Sequence, residues 1–136
     1  MALVVDREGI LRDPGLHDGL LVGINLRPDK EELLLDCRSV DGKDIRLTLP
    51  KLIRLRVDNF LQGNIICDIS IHEGDRCSPQ AVKRVYGYDD DDAQKWISTN
   101  MKEIIDGRWT LVEVSTSYGC ELVALCGAHA DQITAE

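Results

Sequence analysis

Residues 33–71 read LLLDCRSVDGKDIRLTLPKLIRLRVDNFLQGNIICDISI, and apolar residues alternate with polar ones along most of this stretch. A period of two is typical of a β-strand with one face in the core and the other in solvent. Four segments carry the pattern, at 33–37, 45–49, 53–57 and 64–71. Because the connections between them are short, the stretch predicts consecutive antiparallel strands.

The loop between the first two of these strands favours one register. Gly42 closes a three-residue loop at the position that needs a left-handed backbone. With this loop, Leu35 lies opposite Leu47 in the core, and Asp36 lies opposite Arg46 on the solvent face. Since a slip of one residue would place charges in the core, the register is strongly specified.

The same reasoning extends the meander to the third and fourth strands. A turn at 50–52 places Arg46 beside Arg56, and the next connection places Arg54 opposite Asp68. We therefore predict a four-stranded meander with one apolar face and one charged face.

Two segments predict helices. Ser78 and Pro79 are typical of a helix N-terminus and predict a short helix over 79–86. Apolar residues spaced by three and four predict a longer amphipathic helix over 91–106, which Gly107 ends. The apolar face of the longer helix consists of Ala93, Trp96, Ile97, Met101, Ile104 and Ile105.

Three further strands are predicted outside the meander, at 20–26, 109–116 and 120–126. The last two form a hairpin in which Val114 lies opposite Val123. Both faces of this hairpin are apolar, so we expect it at the centre of the sheet or under the helix.

These elements predict an α+β fold. It consists mainly of an antiparallel β meander of about seven strands with one main amphipathic helix, and a sandwich-like arrangement is one option. A single domain is expected over 1–136, with an irregular lead at 1–19 and a frayed tail at 127–136.

Composition excludes several classes of function. The 136 residues include 24 acidic and 16 basic ones, which gives a net charge of −8. Such an acidic balance argues against binding of nucleic acid or of anionic membranes. No apolar run approaches the ~18 residues of a membrane span, and the N-terminal segment lacks the basic start of a secretory signal. Five cysteines without paired spacing are typical of reduced, buried thiols, which predicts a cytoplasmic protein.

An acidic run, Asp89, Asp90, Asp91 and Asp92, precedes the longer helix. It lacks the alternating ligands, glycine and glutamate of an EF-hand, so calcium binding is not expected. Carboxylates at a helix N-terminus interact favourably with the helix dipole, and one of them can cap the helix. The same run is also our candidate contact for a basic partner protein.

Arg46, Arg54 and Arg56 form a predicted basic stripe in this acidic chain. Two interpretations stay open. The stripe could bind an acidic ligand, or it could be a cross-strand charge ladder with Asp36 and Asp68, as the register predicts. We favour the ladder, because the register derived from the apolar residues also places opposite charges beside the arginines.

No metal or catalytic constellation is predicted. His17 and Asp18 resemble one pair of a metal-dependent phosphohydrolase, but only His72 and His129 remain as further histidines, and a metal needs three or more converging ligands. Cys120 lacks an evident orienting group and oxyanion hole, so we expect a structural thiol rather than a nucleophile. No cofactor is expected either.

Part of the chain resembles small bacterial proteins that are grouped with polymorphic-toxin immunity proteins. The residues that carry the resemblance read LHDGLLVGINL at 16–26, the meander that ends in NIICD at 64–68, and TSYGCE at 116–121. The resemblance covers about half the chain, and its motifs are mostly structural. It implies a cytoplasmic bacterial protein that binds and neutralises a toxin effector, and it supplies no catalytic residues.

The sequence therefore predicts a non-catalytic protein-binding domain, of the immunity type, with a basic partner such as a toxin effector. A small-molecule-binding or enzymatic β domain would instead place its site along the arginines. A structural homo-oligomer would expose apolar residues on both faces of the last hairpin.

Overall fold

The computed structural model describes residues 1–87 and 93–136 of the chain. In this part of the chain ten strands and two helices form, which confirms an antiparallel, β-rich α+β protein. In chain order they are β1 (Val4–Val5), β2 (Leu11–Asp13), β3 (Leu20–Arg27), β4 (Glu32–Arg38), β5 (Asp44–Leu49), β6 (Leu52–Asp58), β7 (Asn64–His72), α1 (Pro79–Tyr86), α2 (Ala93–Ile105), β8 (Thr110–Tyr118), β9 (Glu121–Cys126) and β10 (Thr134–Ala135).

Eight of the strands form one sheet in the order β10-β5-β4-β3-β7-β8-β9-β6, and β1 pairs with β2 separately. The larger sheet is narrow at one place, because β3 and β7 share only the pairs Leu20 with Ile65 and Leu21 with Asn64. Apolar residues from both sides of this joint belong to one buried core. None of the helices described is long and apolar enough to cross a membrane.

The hairpin of β4 and β5 has the predicted register. Leu35 pairs with Leu47, and Asp36 pairs with Arg46. Gly42 has a φ of 87°, as its place in the turn requires. Here the alternation and the turn chemistry specify the same pairing, so the sequence was sufficient.

The predicted meander is wrong beyond β5. β6 pairs with β9 at the far edge of the sheet, where Leu55 lies opposite Ala124, instead of pairing with β5. β7 pairs with β3 and β8. The alternation in β6 specifies which face turns to the core, and Leu55 and Val57 do pack there. The alternation does not specify which strand lies beside β6. The prediction therefore rested on the short connection from β5 to β6 alone, and it was wrong.

The hairpin of β8 and β9 forms, but its register is one residue away from the prediction. Val114 pairs with Leu122, and Glu113 pairs with Val123. β9 is buried on both faces from residue 122 to residue 126. Because neither face of such a strand has a polar pattern, the sequence contains little information on its register.

The two helices begin and end close to the predicted residues. In α1 the Ser78 hydroxyl accepts a hydrogen bond from the Ala81 amide at 3.3 Å. Gly107, with a φ of 82°, follows the end of α2. The apolar face predicted for α2 is only partly correct, since Trp96 and Ile105 are half exposed while Ile104 is buried.

The C-terminal segment is not frayed, which corrects the prediction for 127–136. β10 pairs with β5, and Ile133 and Ala135 are buried. The amino group of Met1 donates to the Ala135 carbonyl at 3.0 Å, so the N-terminus covers the other side of β10. The apolar side chains of these short segments lie in the core, and this burial holds them in place.

Candidate protein-binding surface

We call the face of the larger sheet on which α1 and α2 pack the outer face. At one end of it, the helices cover Leu111 and Leu125. At the other end three apolar side chains are exposed. Leu20 is 38% exposed, Ile65 36% and Tyr118 57%. We call these three residues the open row.

The open row crosses three neighbouring strands. Leu20 pairs with Ile65, and Ile65 pairs with Tyr118. Side chains of directly paired residues point to the same face and lie about 5 Å apart at Cβ. Ile66, the next residue of β7, is fully buried in the core, so Ile65 points away from the core. The row is therefore one contiguous apolar strip rather than three scattered residues.

Beside the open row lie charged and apolar residues of β3, β4 and β5. Leu20 also pairs with Arg38, which forms an ion pair with Asp44 at 2.9 Å. Val22, at a bulge in β3, is half exposed. A shallow depression of about 470 Å³ lies beside it, lined partly by Val22, Arg38 and Asp44.

Asn64 holds the backbone around the open row. It is 1% exposed, and its Nδ2 donates to the Leu21 carbonyl at 3.2 Å and to the Leu61 carbonyl at 2.7 Å. Its Oδ1 accepts from the Leu61 amide at 2.9 Å and from the Cys120 amide at 3.0 Å. One buried amide thus joins β3, β7, the β6–β7 loop and the turn after Tyr118.

Two more apolar residues lie beside the row in the β6–β7 loop. Phe60 and Leu61 are exposed, and the loop is held to the β8–β9 turn by Asn59, whose Nδ2 donates to the Gly119 carbonyl at 3.4 Å. Gly119 has a φ of 103°, and a Cβ there would lie 2.9 Å from the Asn64 Cα. Only glycine allows the two chain segments to approach this closely.

Acidic residues border the open row on β7 and before β3. Asp68 lies three residues after Ile65 and pairs with Ser115. The backbone amide of Asp18 donates to the Ile66 carbonyl at 2.8 Å. Between the two carboxylates lies His17, with Nε2 at 3.6 Å from Asp18 and Nδ1 at 3.9 Å from Asp68. The border of the row therefore has a net negative charge when His17 is neutral.

The structure separates the predicted basic stripe. Arg46 forms the predicted ladder contact, since its Nε donates to Asp36 at 2.7 Å. Arg54 and Arg56 lie on β6, at the opposite edge of the sheet from β5. Asp68 does not meet Arg54, because β7 pairs with β8 there.

The two arginines of β6 lie near the C-terminal end of α1. Arg54 Nε donates to the Val85 carbonyl at 3.1 Å, and its guanidinium lies 4.5 Å from the centre of the Tyr86 ring. Arg56 pairs with Asp58 at 3.0 Å. A cation at a helix C-terminus stabilises the helix dipole, which accounts for Arg54 without a ligand.

The other candidate contact, Asp89, Asp90, Asp91 and Asp92, lies outside the described residues. Its role as a partner contact stays a prediction. Trp96, a few residues later, is 50% exposed, and Ile105 is 51% exposed. Nine residues at ~100° per residue place these two on opposite sides of α2, so they do not form one patch.

The metal and nucleophile candidates have structural partners. His17 Nδ1 donates to the Cys67 carbonyl at 2.6 Å, and His72 and His129 lie in other parts of the fold. Within 1–87 and 93–136, no group of three or more potential ligands could hold a metal ion. Cys120 is fully buried, and this burial raises its pKa, which disfavours the reactive thiolate.

One polar cluster was not predicted. Glu113 of β8 accepts from His72 Nε2 at 2.5 Å and from Arg84 of α1 through two hydrogen bonds of 2.7 Å. Burial by itself would raise the pKa of Glu113, but the hydrogen bonds and charges of His72 and Arg84 outweigh burial and lower it to about 2. A carboxylate with so low a pKa is a poor general base near neutral pH. The cluster attaches α1 to the sheet.

Comparisons of the chain with protein-family models, with curated proteins and with solved structures found no match. The resemblance to immunity proteins therefore stays an expectation from the sequence. Function has to be argued from the chemistry and geometry of the surface itself.

Proposed function

We propose that the chain is a non-catalytic protein-binding domain that engages its partner through the open row. The observation that supports this most strongly is the contiguous exposure of Leu20, Ile65 and Tyr118 across three paired strands. Contiguous apolar surface is costly to leave in water and marks interaction sites on soluble proteins. A buried Asn64 orders the strip before any partner arrives, which reduces the entropy cost of binding.

The partner we propose is a basic protein, such as a toxin effector that an immunity protein neutralises. A net charge of −8 attracts such a partner at long range. Asp18 and Asp68 place negative charge at the border of the row, where it acts at short range. The proposal includes a cytoplasmic location.

The arginine contacts support this function over a small-molecule site. Arg46, Arg54 and Arg56 each have a protein partner, so none of them points unsatisfied into a pocket. Self-association through the same row would bring together two chains of charge −8, and like charges destabilise such a contact.

The direct test is the loss of partner binding when the row becomes polar. The partner is first identified as the basic protein that co-purifies with a tagged copy of the chain. We expect Ile65→Ser combined with Tyr118→Ser to weaken its binding at least about 30-fold, because a buried aromatic anchor contributes about 2 kcal/mol or more to an interface. The control is Ile105→Ser, which removes an isoleucine of α2 that is more exposed than Ile65, at 51% against 36%. Affinities are measured by calorimetry, after thermal unfolding has shown that all variants fold.

We expect the control to bind within about threefold of the wild type. Equal binding by the double variant and the wild type would contradict the proposed surface. Loss of binding only in the Ile105→Ser control would move the site to α2.

Salt should slow association more than it changes dissociation. Electrostatic steering by a charge of −8 acts on the encounter and is screened within about 10 Å at 0.1 M salt. We expect the association rate constant to fall about tenfold between low and moderate salt, with a dissociation rate constant that changes little. Stopped-flow mixing measures both. A salt-independent association rate would exclude a basic partner.

A further inference from the structure

His17 lies at the border of the open row, where its protonation changes the charge of the two neighbouring carboxylates. Its ring is 65% exposed and lies between the carboxylates of Asp18 and Asp68. The hydrogen bond from Nδ1 to the Cys67 carbonyl fixes the ring in this place. When the ring is protonated, it neutralises part of the charge of the two carboxylates. When it is neutral, both are available to another cation.

The groups around His17 come from three segments of the chain. Asp18 follows it directly, and β7 contributes the carboxylate of Asp68 and the carbonyl of Cys67. From β2, the charge of Arg12 also reaches the ring and disfavours its protonation. Arg12 is itself neutralised by Asp6, at 2.7 Å.

We propose that His17 makes docking at the open row pH-dependent. The protonated ring pairs with the carboxylates of Asp18 and Asp68, whereas the neutral ring leaves both carboxylates free to pair with a cationic side chain of the partner. This inference rests on the proposed function, since it needs a basic partner on the row. It adds a place for one lysine or arginine of that partner beside Leu20 and Ile65.

The surroundings of His17 favour its protonated form. The hydrogen bond to Cys67, followed by the charge of Asp18, raises its pKa above 6.5. The imidazolium is therefore populated at mildly acidic pH and lost as pH rises through the raised pKa. Binding of a cation to the carboxylates competes with the proton, so docking is expected to release it.

The test uses two defined probes, the peptide acetyl-Leu-Arg-Leu-amide and its counterpart with neutral citrulline in place of arginine. Binding to the full chain is followed by NMR through the amides of Leu20, Ile65 and Tyr118, at pH 5.5 and pH 8. One unit charge at about 4 Å in water changes an affinity about fivefold. We expect the arginine peptide to bind about fivefold more tightly at pH 8 and the citrulline peptide to show no such change.

Two variants separate the titration of His17 from other effects of pH. His17→Gln cannot be protonated, so it should bind the arginine peptide equally at both pH values and as tightly as the wild type does at pH 8. His17→Lys keeps a positive charge, so it should bind weakly at both. A wild type whose affinity does not change with pH, or a His17→Gln variant that keeps the dependence, would overturn the inference.

The experiment also distinguishes this inference from the proposed function. If both peptides perturb the open row equally at both pH values, docking on the row stands and the role of His17 is refuted. If neither peptide perturbs the row, the docking surface fails and the pH dependence fails with it.

Discussion

Asn64→Ala is expected to lower the free energy of unfolding by about 4 kcal/mol, because four hydrogen bonds of about 1 kcal/mol each are lost in a buried place. The Leu21 carbonyl and the Cys120 amide would remain buried without the side chain that now satisfies them. Urea unfolding at pH 7 measures the change. Asn25→Ala, at an exposed position of β3, is the matched control and should change stability by less than about 0.5 kcal/mol.

A small effect of Asn64→Ala would contradict the view that this residue holds the joint between β3 and β7. That joint has only two residue pairs, so few backbone contacts replace the side chain. A second consequence concerns binding. Since the same amide orders the β6–β7 loop and the turn after Tyr118, a variant that still folds should present a less ordered open row.

Glu113→Gln is expected to lower the free energy of unfolding by about 3 kcal/mol at pH 7. The lowered pKa, about 2 instead of 4.5, corresponds to this amount at about 1.4 kcal/mol per pH unit. Glu113 is 16% exposed, so solvent screens the interaction little. The change removes the carboxylate that accepts two hydrogen bonds from Arg84 and one from His72.

The pH dependence of this effect has a defined sign. Because the pKa of Glu113 is lower in the folded protein, its contribution to stability is complete above pH 4.5 and is lost as pH falls towards 2. The difference between wild type and Glu113→Gln should therefore shrink between pH 4.5 and pH 2. Urea unfolding across this range, with the exposed Glu8→Gln as control, measures it. A difference that stays constant with pH would contradict the assignment.

The sequence specified local pairing better than strand order. Asp36 and Arg46 were placed correctly because a turn glycine and a charge pair agreed on the same register. Arg54 and Arg56 were placed wrongly because the alternation in β6 fits either edge of the sheet. The choice of β9 as its neighbour depends on long-range packing, and the local pattern does not contain it.

The candidate surface was only partly visible in the sequence. Leu20 and Ile65 fall inside predicted strands and Tyr118 falls between two of them. Nothing local distinguishes an exposed apolar residue from a buried one. Their alignment follows from the order β3-β7-β8, which the predicted meander did not contain. Glu113 had a weak signal, since it is a single acid in an apolar strand, and such an acid needs buried partners.

The most direct test of the central claim is photo-crosslinking in the native host from two exposed aromatic positions. Tyr118 of the open row and Trp96 of α2 are each replaced, in separate variants, by a photoreactive phenylalanine analogue, and they are 57% and 50% exposed. We predict a crosslink from position 118 to a basic protein and none from position 96. A crosslink from position 96 alone, or from position 118 to a second copy of this chain, would contradict the account.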